Sequence, residues 1–136
     1  LYLIDAAQSL GHLPLDVEMV QADLVAAPGH KGLLGPLGTG ILYLRPGVES
    51  QVEPVRQGGT GSVSEDDRQP ELMPDRYESG NLNVAGLAGL AAGVGFVLEQ
   101  SFEKLRQHEQ VLTAHLLSGC RPAGEHRYFR LRSPRA

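Results

Sequence analysis

Four residues in this chain have types and spacings that suit one kind of chemistry. They are Asp5 and Gln8, three apart, and the adjacent pair His30 and Lys31. A lysine amine forms Schiff bases with aldehydes, provided a partly desolvated pocket makes it a competent nucleophile. Pyridoxal phosphate needs such a lysine, and a carboxylate on its pyridine nitrogen to strengthen the electron sink. It also needs a donor at its phenolic oxygen and amides or polar groups at its phosphate. Asp5, Gln8, His30 and Lys31 supply those parts if the fold brings the two pairs together. Each has a plainer reading in isolation. Asp5 is equally a helix N-cap with Gln8 or Ser9 in the first turn, and Gly29-His30-Lys31-Gly32 is equally a glycine-rich connection with a surface lysine.

The elements that must position these residues are short. Leu1 to Ile4 runs into Asp5, Leu24 to Ala27 runs into the Lys31 loop, and Ile41 to Leu44 leaves it. All three read as buried strands, being brief apolar runs bounded by Gly, Pro or polar residues. Ligands of open α/β sheets gather at the carboxyl ends of strands, where Asp5, Gln8, His30 and Lys31 would stand. The loop from Pro28 to Gly40 holds five glycines and two prolines, which lets backbone approach a ligand closely. Between the first two strands, Asp16 is placed to cap a short helix, Val17 to Gln21, with Val17 and Val20 facing the sheet. Strand, short helix and strand form a compressed unit that implies a parallel pair.

Beyond Arg45-Pro46-Gly47, a turn, the bare amides of Gly58-Gly59-Thr60-Gly61-Ser62 could cradle a phosphate. Without a P-loop lysine or a strong preceding strand, the segment reads instead as a mobile surface loop. Leu72 to Asn83 is a second, ordered-looking loop. From Val84 the apolar period becomes 3.6 and continues to Leu116, with Asn83 as N-cap and Gly119 as stop. The run is long for one helix, so a break is expected between Glu99 and Ser101. Small residues from Ala85 to Gly95 suit close packing against a sheet. His108 and His115 lack a Cys or carboxylate to complete a ligand set and read as helix-surface residues, so no metal site is expected.

The 136 residues suffice for one small domain, and 41% apolar with 21% charged residues is an ordinary globular composition. A net charge of -4, with no basic stripe before the last fifteen residues, argues against nucleic-acid binding. No run approaches 18 consecutive apolar residues, so no membrane span is expected. The lone Cys120 excludes an internal disulfide and fits a reducing compartment, with a cytoplasmic location as the expectation. The chain opens in mid-strand and closes on an arginine-rich stretch. It therefore reads as a piece of a longer protein, with residues 1–118 as a partial domain and 119–136 as an irregular tail.

Asp5-Ala6-Ala7-Gln8, followed by Gly29-His30-Lys31-Gly32-Leu33-Leu34-Gly35-Pro36-Leu37-Gly38-Thr39-Gly40, closely resembles the class V aminotransferase family of fold-type I pyridoxal-phosphate enzymes. Within it the match is closest to the cysteine desulfurase and selenocysteine lyase group, which Gly58 to Ser62 and Arg76 to Asn83 also resemble. The likeness runs from about Leu1 to Leu117. It implies an α/β fold, the middle of a three-layer α/β/α large domain with a mostly parallel sheet. It implies pyridoxal 5'-phosphate as cofactor and Lys31 as its Schiff-base lysine. By the same resemblance Asp5 would pair with the pyridine nitrogen, Gln8 with the phenolic oxygen and His30 with the phosphate. Asn81 stands where the family usually has Thr and would reach the phosphate of a partner subunit, implying a homodimer. Pro28 stands where the family usually has Ser or Thr, so that hydroxyl contact is absent.

The implied reaction removes sulfur or selenium from cysteine or selenocysteine to give alanine, with an amino acid as substrate and a sulfur-acceptor protein as partner. The family's persulfide-forming cysteine comes much later than Cys120, which is not assigned that role. Two other readings stay open. One is a class V aminotransferase or lyase acting on another amino acid. The other, of a different class, is an inactive fragment or a non-catalytic phosphate-binding domain.

Overall fold

Leu24-Val25-Ala26-Ala27-Pro28 forms the central strand, β2, of a three-stranded sheet in the computed structural model, which describes residues 1–59, 62, 63 and 65–120. Strand β1, Leu3–Asp5, pairs parallel with it, Asp5 lying opposite Ala26. Strand β3, Gly40–Leu44, pairs antiparallel on the other side, Gly40 opposite Pro28. The parallel pair is the one expected from the short crossover, and β3 makes the sheet mixed.

Only β2 is buried as expected, with Leu24, Val25 and Ala27 in the core. The edge strands are not, since Leu3 is 57% and Leu42 is 47% exposed. An apolar run reports strand propensity, but its cover depends on what lies above it, and here two of three strands are edges. Ala6, Ala22, Val25 and Ala27 form the core cluster, with Ile4, Leu10, Leu15, Val17 and Tyr43 packed around it.

The expected helix from Val17 to Gln21 is instead a pair of turns. Asp16 caps as anticipated, its Oδ1 accepting from the amides of Glu18 at 2.9 Å and Met19 at 3.0 Å. The turn then stops, because five residues form too few bonds to offset helix nucleation. Gln21 adopts a left-handed φ of 53°, which swings the chain into β2.

Asp23 locks the start of that strand. It accepts from Arg45 Nε at 2.9 Å and from the Tyr2 amide at 2.7 Å, joining all three strands at one end. The Arg45 hydrogen bond, followed by that of the Tyr2 amide, holds the Asp23 carboxyl below the usual carboxylate range. A depressed folded-state value means stability present above the unfolded-state value and lost as pH falls through the folded one. The stability gap between the parent chain and Asp23→Asn should therefore close as pH drops below about 4, followed by thermal melts at stepped pH. A gap independent of pH would remove Asp23 from the acid response.

Two helices complete the described structure. Helix α1, Val84–Gln100, is capped by Asn83, whose side chain accepts from the Gly86 amide at 3.0 Å. Ser101, at φ 65°, breaks the run where expected and caps helix α2, Phe102–Gly119, through the Lys104 amide. The two helices bend by 87°, and among the described residues no single helix is long and apolar enough to cross a membrane. Helix α1 buries Gly86, Leu90 and Val97, whereas no residue of α2 is buried. The predicted stripe through Val111, Leu112 and Leu116 thus lies exposed. His108 and His115 are exposed on α2, as expected. The tail expectation, apart from Gly119 and Cys120, lies outside the described residues.

Candidate functional site

The parallel pairing of β1 and β2 puts Asp5 and the Lys31 loop at one edge of the sheet. The register continues past the strand, the Ala6 amide donating to the Ala26 carbonyl at 2.9 Å. The loop closes on itself through Gly29 N to Thr39 O at 2.8 Å, Gly35 N to Gly29 O at 2.8 Å and Leu34 N to Lys31 O at 2.9 Å.

Its glycines are explained first by protein and not by ligand. A Cβ on Gly32 would run into the Leu10 carbonyl and the His12 ring, and one on Gly11 into the Gly32 carbonyl. The Asp5–Gly11 turn and the Lys31 loop therefore lie backbone to backbone. On the other side, Gly93 of α1 lies under the carbonyls of Leu33 and Leu34, while Leu90 fills the space beside Gly29 and Gly35. The small residues of α1 thus pack against this loop, where packing against the sheet was expected.

Lys31 is half-buried and makes no ion pair among the described residues. Next to it, His30 is exposed. Asp5 is exposed at the strand end, and its Oδ1 accepts from the Ala7 amide at 2.9 Å. It caps a turn and not a helix, and its second oxygen has no partner among the described residues. Gln8 is exposed in that same turn. Four of the five expected site residues therefore share one sheet edge. Asn81 does not join them. It lines an open cleft with Ser62, Glu78 and Gly80.

The glycine pair before that cleft is less available to an anion than its sequence suggests. The Gly58 amide donates to Gln69 Oε1 at 2.9 Å, and the Gly80 amide donates to the Gly58 carbonyl at 3.1 Å. Thr60 and Gly61 lie outside the described residues. Gln69 is buried, and its Nε2 donates to the Asp75 carbonyl at 3.0 Å, so one amide side chain joins the two loops. Tyr77 anchors the second loop through its hydroxyl, which lies 2.8 Å from the Val52 carbonyl and 3.0 Å from that of Glu49. Sequence reading misses Gln69 because a lone polar residue in a polar loop carries no periodicity. Gln69→Leu should cost about 1–3 kcal/mol by leaving the Gly58 amide unsatisfied, since the Asp75 carbonyl still accepts from the Glu78 amide. Denaturant titration checks this, and a change under about 0.5 kcal/mol would place water or slack at the junction.

His12 escapes the sequence in the same way. Its Nδ1 lies 2.7 Å from Glu109 Oε1 on α2, a contact spanning most of the described chain and invisible to local pattern. Among the described residues no group of three or more His, Cys, Asp or Glu side chains could hold a metal ion.

A lysine loop and an aspartate-ended strand, side by side at the carboxyl edge of a parallel pair, define the class. The Aminotransferase class-V family model matches residues 1–135, and the chain belongs to that family. Similar proteins within it include cysteine desulfurases. The chain is 43% identical over 118 residues to a probable cysteine desulfurase of Methanothermobacter thermautotrophicus, covering 85% of this chain and 30% of that one. It is 36% identical over 120 residues to the cysteine desulfurase of Escherichia coli O157:H7, covering 85% and 29%. The apo cysteine desulfurase of Thermococcus onnurineus NA1 superposes with a TM-score of 0.76 at 36% identity, over 88% of this chain and 30% of that one. The chain thus spans about 30% of the length of the relatives it matches. Its fold is the α/β fold of these fold-type I enzymes, as expected.

Proposed function

We propose that this chain is the cofactor-anchoring core of a pyridoxal-phosphate-dependent cysteine desulfurase. One observation carries the reading: Lys31, half-buried and without an ion pair among the described residues, shares a sheet edge with an Asp5 carboxylate oxygen that has no partner among those residues. That donor set suits the cofactor. Lys31 offers an amine to an aldehyde, and Asp5 offers a carboxylate to a protonated pyridine nitrogen. Gln8 and His30, both exposed at that edge, offer donors to the phenolic oxygen and the phosphate. When bound, pyridoxal phosphate supplies an electron sink for bond breaking at the substrate amino acid.

The roles of the chain's own residues follow. Lys31 would hold the cofactor covalently and would be the base that moves the substrate's Cα proton. Asp5 would favour a proton on the ring nitrogen, because a negative charge beside that nitrogen stabilises its protonated form. Pro28 has no hydroxyl to offer the phosphate. Asn81 lines a different cleft, which fits service to the phosphate of a second copy and a site shared across a homodimer. A sulfur-accepting thiol is not assigned to Cys120, which lies exposed at the end of α2.

A lyase acting on a related sulfur amino acid is the second reading. It is favoured by the likeness to the cystine C-S lyase C-DES, TM-score 0.62 at 32% identity, solved with cysteine persulfide. Asp5, Gln8, His30 and Lys31 hold cofactor and do not choose between these substrates. The engagement of Gly58 with Gln69 counts against a non-catalytic phosphate cradle at that loop.

Titrating the purified chain with pyridoxal phosphate tests the reading. It expects a saturable visible absorption band and, after borohydride reduction, one stoichiometric adduct. No band at saturating cofactor would set the reading aside for this chain.

A further inference from the structure

We propose that His12 and Glu109 form a positioning pair that sets Lys31 through Gly32. The inference deepens the reading above, since it takes Lys31 as the reactive lysine. His12 Nδ1 donates to Glu109 Oε1 at 2.7 Å. The opposite side of the ring covers the residue next to Lys31, because a Cβ built on Gly32 would fall 2.8 Å from His12 Cδ2 and 2.9 Å from Nε2. Gly32 cannot retreat, since the Leu10 carbonyl closes the same space. Helix α2 has no buried residue and leaves α1 at Ser101, so core packing does not hold it in place. Glu109 therefore ties an otherwise loosely held helix to the imidazole that walls the lysine loop. His12 and Glu109 side chains are 38% and 47% exposed, so the pair contributes little to global stability and its loss leaves a folded chain to examine.

The test labels the parent chain and its variants with a limiting acylating reagent and compares Lys31 with Lys104 by mass spectrometry. It needs no cofactor, so its failure and the failure of cofactor binding are separate results. In Glu109→Ala the Lys31-to-Lys104 ratio should rise about threefold as the loop loosens locally. In Glu109→Gln, which keeps an acceptor for Nδ1, it should return to the parent value. Rescue by Gln separates positioning from simple loss of bulk. If Glu109→Ala loses its helical circular dichroism, His12→Asn, which leaves α2 untouched, carries the test with the same expected rise. An unchanged ratio in a folded Glu109→Ala or His12→Asn would overturn the proposal.

Discussion

Lys31→Ala should lose the covalent pyridoxal-phosphate adduct entirely while keeping its circular dichroism. The chain has two lysines, Lys31 and Lys104, so the variant leaves a single competitor lysine, exposed on α2. A surface lysine is a strongly hydrated point charge, whereas Lys31 is half-buried and makes no ion pair among the described residues. The contrast sharpens with Asp5→Asn, which keeps the amine and removes the carboxylate. That variant should still form the Lys31 adduct. It should bind about ten- to a hundredfold more weakly, the worth of one hydrogen bond to a charged group at about 1.5–3 kcal/mol. Peptide mapping after borohydride reduction reads both. Equal labelling of Lys31 and Lys104 in the parent would sink the assignment of Lys31, whatever the total uptake.

Gly11→Ala should be the most destabilising single methyl that this chain can receive near its site. Two costs fall on it together. Gly11 sits at φ 91°, where a side chain is strained by about 1–3 kcal/mol. The new Cβ also meets the Gly32 carbonyl, which is backbone and cannot rotate away. Overpacking of that kind adds about 1–3 kcal/mol. A loss of about 3 kcal/mol or more is a large share of the roughly 5–15 kcal/mol that stabilises an ordinary domain. Gly47→Ala supplies the control. Gly47 has a φ of 89°, and a Cβ there would meet nothing within 4 Å, so it bears the strain alone. Urea unfolding of the two variants separates the terms. Equal losses would mean that the Asp5–Gly11 turn and the Lys31 loop are not in contact.

Local pattern determined much of this protein. The 3.6 period and the caps gave α1 and α2, with their break at Ser101, because helical bonds and capping bonds connect residues within a few positions. Asp5 to Gln8 followed by Gly29 to Gly40 resembled the class V aminotransferase family, to which the chain belongs. The residue types of Asp5, Gln8, His30 and Lys31 led to the cofactor chemistry proposed above.

Tertiary structure decided what those elements face. The apolar runs of β1 and β3 looked as buried as β2, yet burial depends on the neighbours a strand acquires, and both lie at an edge. Gly32 looked like freedom for a ligand, but at Gly11, Gly32 and Gly93 backbone meets backbone. His12 reaches Glu109 across 97 positions, a distance at which no sequence period can act, and Gln69 bridges two loops that carry no period. A side chain's type is written locally, but its partner is chosen by the packing of segments far apart in the chain.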